Sequence, residues 1–96
     1  MQAMTGDSLR QSIVILNPQG LHMRPITAFV EAATRFQSDV QLGRAGGELV
    51  NGKSPIALLG LGADQGTELI LEVAGPDAAD AMKTLVEILQ RIHEEG

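Results

Sequence analysis

The residues best suited to chemistry lie in one short stretch, in which His22 is followed by Arg24 and Pro25. Proline is favoured in the first turn of a helix, so Pro25 predicts a helix start with His22 just before it. The unpaired N–H groups of a first helical turn carry partial positive charge and bind anions readily. Arg24 adds a permanently charged fork of donors that suits phosphate. The stretch therefore predicts a histidine nucleophile that takes up a phosphoryl group.

Three motifs follow one another along the chain. They are GLH-x-RP at residues 20–25, VNGKS-x-I-x-L-x-x-LG at 50–62 and G-T-E-L at 66–69. In order and spacing they resemble the HPr family, the small histidine phosphocarrier proteins of the bacterial phosphoenolpyruvate-dependent phosphotransferase system. The resemblance covers about residues 11–92, which is nearly the whole chain.

The resemblance implies a phosphoryl carrier that is not an enzyme in the strict sense. His22 would accept the phosphoryl group on Nδ1 from phosphorylated Enzyme I and pass it to an Enzyme IIA-type acceptor. Arg24 would stabilise the phosphate. Such a carrier acts as a protein substrate without a metal ion, nucleotide or other cofactor of its own. It is expected to be a cytoplasmic monomer whose complexes with its partners are transient.

The resemblance also implies a docking surface for Enzyme I and its acceptors, formed by the start of the first helix and by the short second helix. The residues that map onto it are Met23, Ile56, Ala57 and Leu59. The alternative to docking is that these apolar side chains pack in the core, which must be true of some of them. Glu31 and Thr34 stand where some carriers have basic residues, so the sequence predicts weak electrostatic steering toward an acidic partner.

Ser54 has two interpretations. Because Pro55 follows it, Ser54 is typical of an N-cap, which predicts a short helix through about Leu59. It also matches the serine that a regulatory kinase phosphorylates in some HPr proteins, although capping alone accounts for it. The segment GELVNGKS at 47–54 fits the nucleotide-binding pattern G-x-x-x-x-G-K-[ST]. We reject nucleotide binding, because Glu-Leu-Val-Asn is typical of a strand and the chain is too short for the usual parallel sheet.

The apolar patterning predicts elements in the order β-α-β-β-α-β-α. The predicted strands cover residues 12–16, 40–42, 48–51 and 67–73, and the predicted helices cover 25–36, 55–59 and 78–92. Asp77 is expected to cap the last helix, and Arg91 and His93 to suit its C-terminal dipole. Helices that all cover one face of a sheet make a two-layer α+β sandwich. HPr proteins have this open-faced sandwich, with three helices on one face of a four-stranded antiparallel sheet.

Composition narrows the possible functions. The 96 residues, 44% of them hydrophobic, allow one small domain, predicted at 11–96 after a flexible tail at 1–10. A net charge of −5 and the presence of only two aromatic residues argue against nucleic-acid binding. The absence of cysteine excludes a disulfide framework and a thiolate metal site. No apolar run is long enough for a signal peptide or a membrane-spanning helix.

A regulatory binding module on the same fold is the alternative function. Its phosphorylation state would control a partner enzyme or a transcription factor. Such modules can dispense with the histidine, so the presence of His22 favours the carrier. The sequence favours neither the sugar-transport branch nor the nitrogen-type branch of the phosphotransferase system.

Overall fold

All seven predicted elements form in the predicted order in the computed structural model, which describes residues 8–91. The strands are β1 (Ser8–Val14), β2 (Asp39–Arg44), β3 (Leu49–Asn51) and β4 (Glu68–Ala74). The helices are α1 (Met23–Ala33), α2 (Pro55–Leu59) and α3 (Ala78–Gln90). None of the helices between residues 8 and 91 has the length and hydropathy that a bilayer span requires.

The strands form one sheet in the order β1-β4-β2-β3, and every neighbouring pair is antiparallel. Along β4 every second side chain points into the core, so Leu69, Leu71 and Val73 are fully buried. The helices supply the other layer of the core, with Phe29 from α1 and Leu85 from α3. The fold is therefore the predicted open-faced α+β sandwich of a four-stranded sheet and three helices.

The first strand begins at Ser8, inside the predicted tail, rather than at residue 12. Its pairing with β4 extends over the whole strand, and Arg10 forms an ion pair with Glu72 of β4, with 3.1 Å between Nη1 and Oε2. The sequence pattern missed this extension because most side chains of this edge strand are exposed and carry little apolar alternation. The rest of the predicted tail, 1–7, lies outside the described residues.

Asp77 occupies the N-cap position of α3, but its side chain does not cap that helix. Its carboxylate instead accepts hydrogen bonds from the N–H groups of Gln37 at 2.8 Å and Ser38 at 3.0 Å, and from the Ser38 hydroxyl. The predicted cap was wrong because a loop far away in the sequence offers these donors. Since Ser38 is buried, Asp77 ties the segment between α1 and β2 to the start of α3.

The ends of the two long helices also differ from the prediction. α1 ends early, at Ala33. α3 ends at Gln90, and Arg91 after it has an extended backbone, so no basic residue lies in the last described turn. Residues 92–96, His93 among them, lie outside the described part of the chain, and the predicted dipole interaction of His93 stays a prediction.

The hydrogen bonds between Asp77 and Ser38 should stabilise the fold by an amount that depends on pH. The Ser38 hydroxyl, and after it the Gln37 N–H, lower the pKa of Asp77 below its ordinary value of 3.8. A carboxyl group with a lowered pKa stabilises the folded state above its unfolded-state pKa, and this contribution is lost as the pH falls through the folded-state pKa. Asp77→Asn is therefore expected to lower the melting temperature at neutral pH, by a margin that shrinks below a pH of about 4.

Thermal unfolding at pH values from about 7 to about 3 measures this margin. Asp80→Asn is the matched control, because Asp80 is an exposed carboxylate on the first turn of the same helix. A margin for Asp77→Asn that stays constant over the whole pH range would contradict the prediction.

Candidate functional site

His22 is the N-cap residue of α1 and has an extended backbone, with a φ of −103° and a ψ of −170°. Its carbonyl oxygen accepts the first hydrogen bond of the helix from the N–H of Ile26, at 3.0 Å. The helix thus begins at Met23 and not at Pro25, because proline, which lacks an N–H, is tolerated throughout the first turn. The side chain of His22 stands at the helix N-terminus, where the sequence predicted it.

The first turn of α1 presents hydrogen-bond donors to the surroundings of His22. The N–H groups of Met23 and Arg24 have no acceptor within the helix, and Pro25 has no N–H. Among the described residues, no side chain caps this end, and the turn contains no acidic residue. Arg24 is exposed and forms no ion pair with any residue between 8 and 91. This end of α1 therefore carries positive potential and can hold an anion.

The His22 imidazole lies partly inside the protein. The residue is half-buried, and Nε2 of its ring is a buried atom. The exposed part of the residue therefore belongs to atoms other than Nε2. Burial disfavours Nε2 as the ring nitrogen that an incoming group reaches.

A tight loop between β1 and α1 carries His22. Gly20 in this loop has a φ of +75°, a left-handed conformation that glycine adopts without strain. A Cβ atom on Gly20 would lie 2.5 Å from the carbonyl oxygen of Ala63, so the two segments approach too closely for a side chain. The same Ala63 oxygen accepts a hydrogen bond from Leu21 N–H at 2.8 Å. The support of this loop by Ala63 could not be predicted from the sequence, because Ala63 is distant along the chain.

Large apolar side chains are exposed on α1 and on α2, two helices that pack against each other. Met23 of α1 is 52% exposed, whereas Ile56 and Leu59 of α2 are 84% and 50% exposed. Ala57 is half-buried, and Leu58 is the residue of α2 that is fully buried in the core. We refer to Met23, Ile56, Ala57 and Leu59 as the apolar surface.

Ser54 caps α2, as predicted. Its Oγ accepts a hydrogen bond from Ala57 N–H at 3.2 Å, and Pro55 is the first residue of the helix. Leu49–Asn51 of the segment 47–54 forms β3, in agreement with the rejection of a nucleotide-binding loop. Ser54 directly precedes a helix whose exposed residues belong to the apolar surface, so a charge on Ser54 would adjoin that surface.

Known proteins resemble this chain over most of its length. A sequence model named PTS-HPr, described as the PTS HPr component phosphorylation site, matches residues 9–91. The phosphocarrier protein HPr of Pseudomonas putida is 42% identical over 86 residues, which are 90% of this chain and 96% of that protein. Both matches include the loop that carries His22 and the apolar surface.

Solved structures share the fold. A crystal structure of a phosphocarrier protein HPr from Bacillus anthracis aligns with a TM-score of 0.80 at 28% identity, over 86% of this chain and 98% of that one. The Bacillus subtilis catabolite repression protein Crh, described as a dimer with a swapping domain, aligns with a TM-score of 0.69 at 35% identity, over 88% and 97% of the two chains. By sequence and by fold, the chain belongs to the HPr family, the phosphocarrier proteins of the phosphotransferase system.

Proposed function

We propose that His22 is the phosphorylated residue of this carrier, with phosphorylated Enzyme I as donor and an Enzyme IIA-type protein as acceptor. The observation that carries the proposal is the position of His22 at a helix N-terminus without a side-chain cap, next to the turn that contains Arg24. Membership of the HPr family supplies the reaction class. The carrier itself requires no metal ion or nucleotide, because the donor brings the phosphoryl group already activated.

In the proposed reaction, the lone pair of His22 Nδ1 attacks the phosphorus atom held by Enzyme I. The bond between phosphorus and the donor atom breaks, and its electron pair stays on that donor atom. Nδ1 must be the unprotonated ring nitrogen, so the proton lies on Nε2, the buried nitrogen. The new nitrogen–phosphorus bond keeps the group transferable, and the second transfer, to the acceptor, restores the free imidazole.

The first turn of α1 would stabilise the phosphoryl group during both transfers. The N–H groups of Met23 and Arg24 and the Arg24 guanidinium are donors for its non-bridging oxygens. Catalysis of phosphoryl transfer depends mainly on positioning and on stabilising spread negative charge. Donors that meet this charge only as the group moves increase the rate of transfer more than the affinity for the partner.

The apolar surface is the proposed docking site for both partners. Leu58 anchors α2 in the core, whereas Ile56 is 84% exposed, so the fold does not depend on the Ile56 side chain. Burying such side chains against a partner would supply much of the binding free energy. Glu31 on α1 and Thr34 just after it are exposed and not basic, so electrostatic steering contributes little and apolar contact contributes more.

Leu59→Glu is expected to weaken binding to Enzyme I by about tenfold or more, because it places a charge in an apolar contact. Calorimetric titration measures the affinity, and circular dichroism checks the fold. Leu9→Glu is the matched control, since it introduces the same charge at another partly exposed leucine, on β1. Wild-type affinity in a folded Leu59→Glu variant would place the docking site elsewhere.

Substitutions of Ser54 separate its capping role from a regulatory one. Ser54→Ala removes the cap and is expected to lower the stability by roughly 1 kcal/mol without slowing phosphate transfer. Ser54→Asp keeps an acceptor at the helix N-terminus and should be nearly as stable as wild type, but its charge beside Ile56 should slow phosphate arrival. Melting curves and Enzyme I kinetics on both variants test this. Normal transfer by Ser54→Asp would leave Ser54 as a cap alone, without a role for a serine kinase.

The proposed function is tested by mixing the protein with radiolabelled phosphoenolpyruvate and Enzyme I. We expect label on the protein, located on His22 by mass spectrometry, and its transfer to an added Enzyme IIA-type protein. An established HPr labelled by the same Enzyme I is the positive control. No label on this protein under conditions that label the control would contradict the proposal.

The likeness to Crh supports regulation as a second candidate function. In that case a partner enzyme or transcription factor would bind one phosphorylation state of the protein in preference to the other. Affinity capture with the phosphorylated and the unphosphorylated protein distinguishes the two candidates. We further propose a cytoplasmic monomer, and light scattering on the purified protein tests the monomeric state.

A further inference from the structure

We propose that Asn17 is a positioning residue for His22, because its side chain fixes the peptide group that orients the histidine for phosphoryl transfer. The inference rests on the proposed function, since it gives Asn17 a task in that reaction. In this role Asn17 acts through the loop that carries His22 and not as a ligand of the transferred group.

Asn17 is a polar residue inside the protein. It is 3% exposed, and it and Ser38 are the buried polar residues within 8–91. A buried amide is costly unless it forms hydrogen bonds, so its presence indicates a specific task. Nδ2 of Asn17 donates to the carbonyl oxygen of Gly20 at 2.9 Å, and the backbone oxygen of Asn17 accepts from Gly20 N–H at 2.9 Å. Asn17 therefore closes the loop with both its side chain and its backbone.

The peptide group between Gly20 and Leu21 is held at both of its polar atoms. Its oxygen accepts one hydrogen bond from Asn17 Nδ2 and another, at 3.1 Å, from the N–H of His22. Its N–H, which belongs to Leu21, donates to the oxygen of Ala63 at 2.8 Å. Because a peptide group is planar, fixing both atoms fixes its rotation. The backbone of His22 therefore starts from a defined orientation.

The Asn17 side chain is the part of this arrangement that depends on residue type. The hydrogen bonds of Leu21 and His22 use backbone atoms and can form with many side chains at those positions. The Nδ2 bond requires a side-chain donor at residue 17. Without it, the Gly20 oxygen keeps the hydrogen bond from the N–H of His22, which moves with the loop and cannot anchor it. Because glycine has wide backbone freedom, the peptide group can then tilt about its hydrogen bond to Ala63 and move His22. A displacement of about 1 Å at a reacting group can slow a transfer by about a hundredfold.

The test compares two substitutions that remove the Nδ2 donor, Asn17→Ala and Asn17→Asp. Aspartate has nearly the shape of asparagine, so the second variant decides the question if the first does not fold. Ser38→Ala is the matched control. It removes the hydrogen bond of the other buried polar side chain, which lies beyond the opposite end of α1 from His22.

Two measurements are made on each variant. Initial rates of phosphate transfer from Enzyme I, over a range of carrier concentrations, give kcat and KM separately. Nitrogen-15 NMR spectra follow the ring signals of His22, with those of His93, the other histidine of the chain, as an internal reference. Both Asn17 variants are expected to lower kcat about ten- to a hundredfold with little change in KM, because the apolar surface is intact. The His22 signals should shift, and the His93 signals should not.

Ser38→Ala should lower the melting temperature while leaving kcat and the His22 signals unchanged. A wild-type kcat in a folded Asn17 variant, or an equal loss of kcat in Ser38→Ala, would overturn the proposal. If the wild-type protein took up no phosphate, the proposed function would fail and the NMR spectra would decide on Asn17. A shift of the His22 signals in the Asn17 variants alone would still support positioning, and unshifted signals would overturn it.

Discussion

Replacement of His22 by alanine is expected to abolish phosphate uptake from Enzyme I while the fold stays intact. His22 is half-buried at a helix terminus and is not part of the hydrophobic core, so its loss removes little packing. The label on the wild-type protein is expected to be lost in acid and to survive base, as is characteristic of a nitrogen–phosphorus bond. Label retention after acid and base treatment, together with thermal melts, measures both effects.

The matched control for this substitution is His93→Ala, since His93 is the other histidine in the sequence. This variant should take up phosphate at the wild-type rate. Label that persists in His22→Ala, or an acid-stable label on the wild-type protein, would show that another residue accepts the phosphoryl group.

Replacement of Arg24 by alanine is expected to lower kcat for phosphate transfer by about a hundredfold with a nearly unchanged KM. A cation in the first turn of a helix is mildly unfavourable, so the helix dipole does not explain the presence of Arg24. The Arg24 side chain is exposed and forms no ion pair with residues 8–91, so neither packing nor an ion pair within these residues explains it. Its proposed task is at the moving phosphoryl group. Arg24→Lys should recover part of the rate, because lysine keeps the charge but not the planar fork of donors.

Arg35→Ala is the control for the change in net charge. Arg35 is exposed and lies just beyond the other end of α1, so its loss should leave both kinetic constants unchanged. If Arg24→Ala raised KM while kcat stayed at the wild-type value, Arg24 would be a docking residue and not a phosphate ligand.

The order of the elements could be predicted because the patterns in the buried elements are local. Leu69, Leu71 and Val73 alternate along β4, and the apolar stripe of α3 repeats at helical spacing. The start of β1 could not be predicted this way, because Ser8 joins the strand through its pairing with a distant segment. Asp77 shows the same limit, since the donors that draw its carboxylate away from α3 lie in another loop.

In the candidate site, too, local features could be predicted from the sequence and contacts between distant segments could not. His22, Arg24 and Pro25 are neighbours in the sequence, so the sequence was enough to predict that one helix start brings them together. The sequence alone did not single out Asn17, because its burial and its bond to Gly20 depend on the folded loop. Ala63 could not be predicted from its residue type either, because it has no polar side chain and contributes only its backbone oxygen.

The strand order has a consequence for how the chain folds during its synthesis. Among the strands between residues 8 and 91, β4 comes last along the chain but lies inside the sheet, between β1 and β2. Arg10 and Glu72, which pair across β1 and β4, are 62 positions apart. Contacts of such long range close large loops at an entropic cost and slow the search for the native state. On the ribosome, β2 and β3 can form their hairpin early, but β1 has no strand to pair with until β4 has emerged. The sheet is therefore completed only after β4 has left the ribosome.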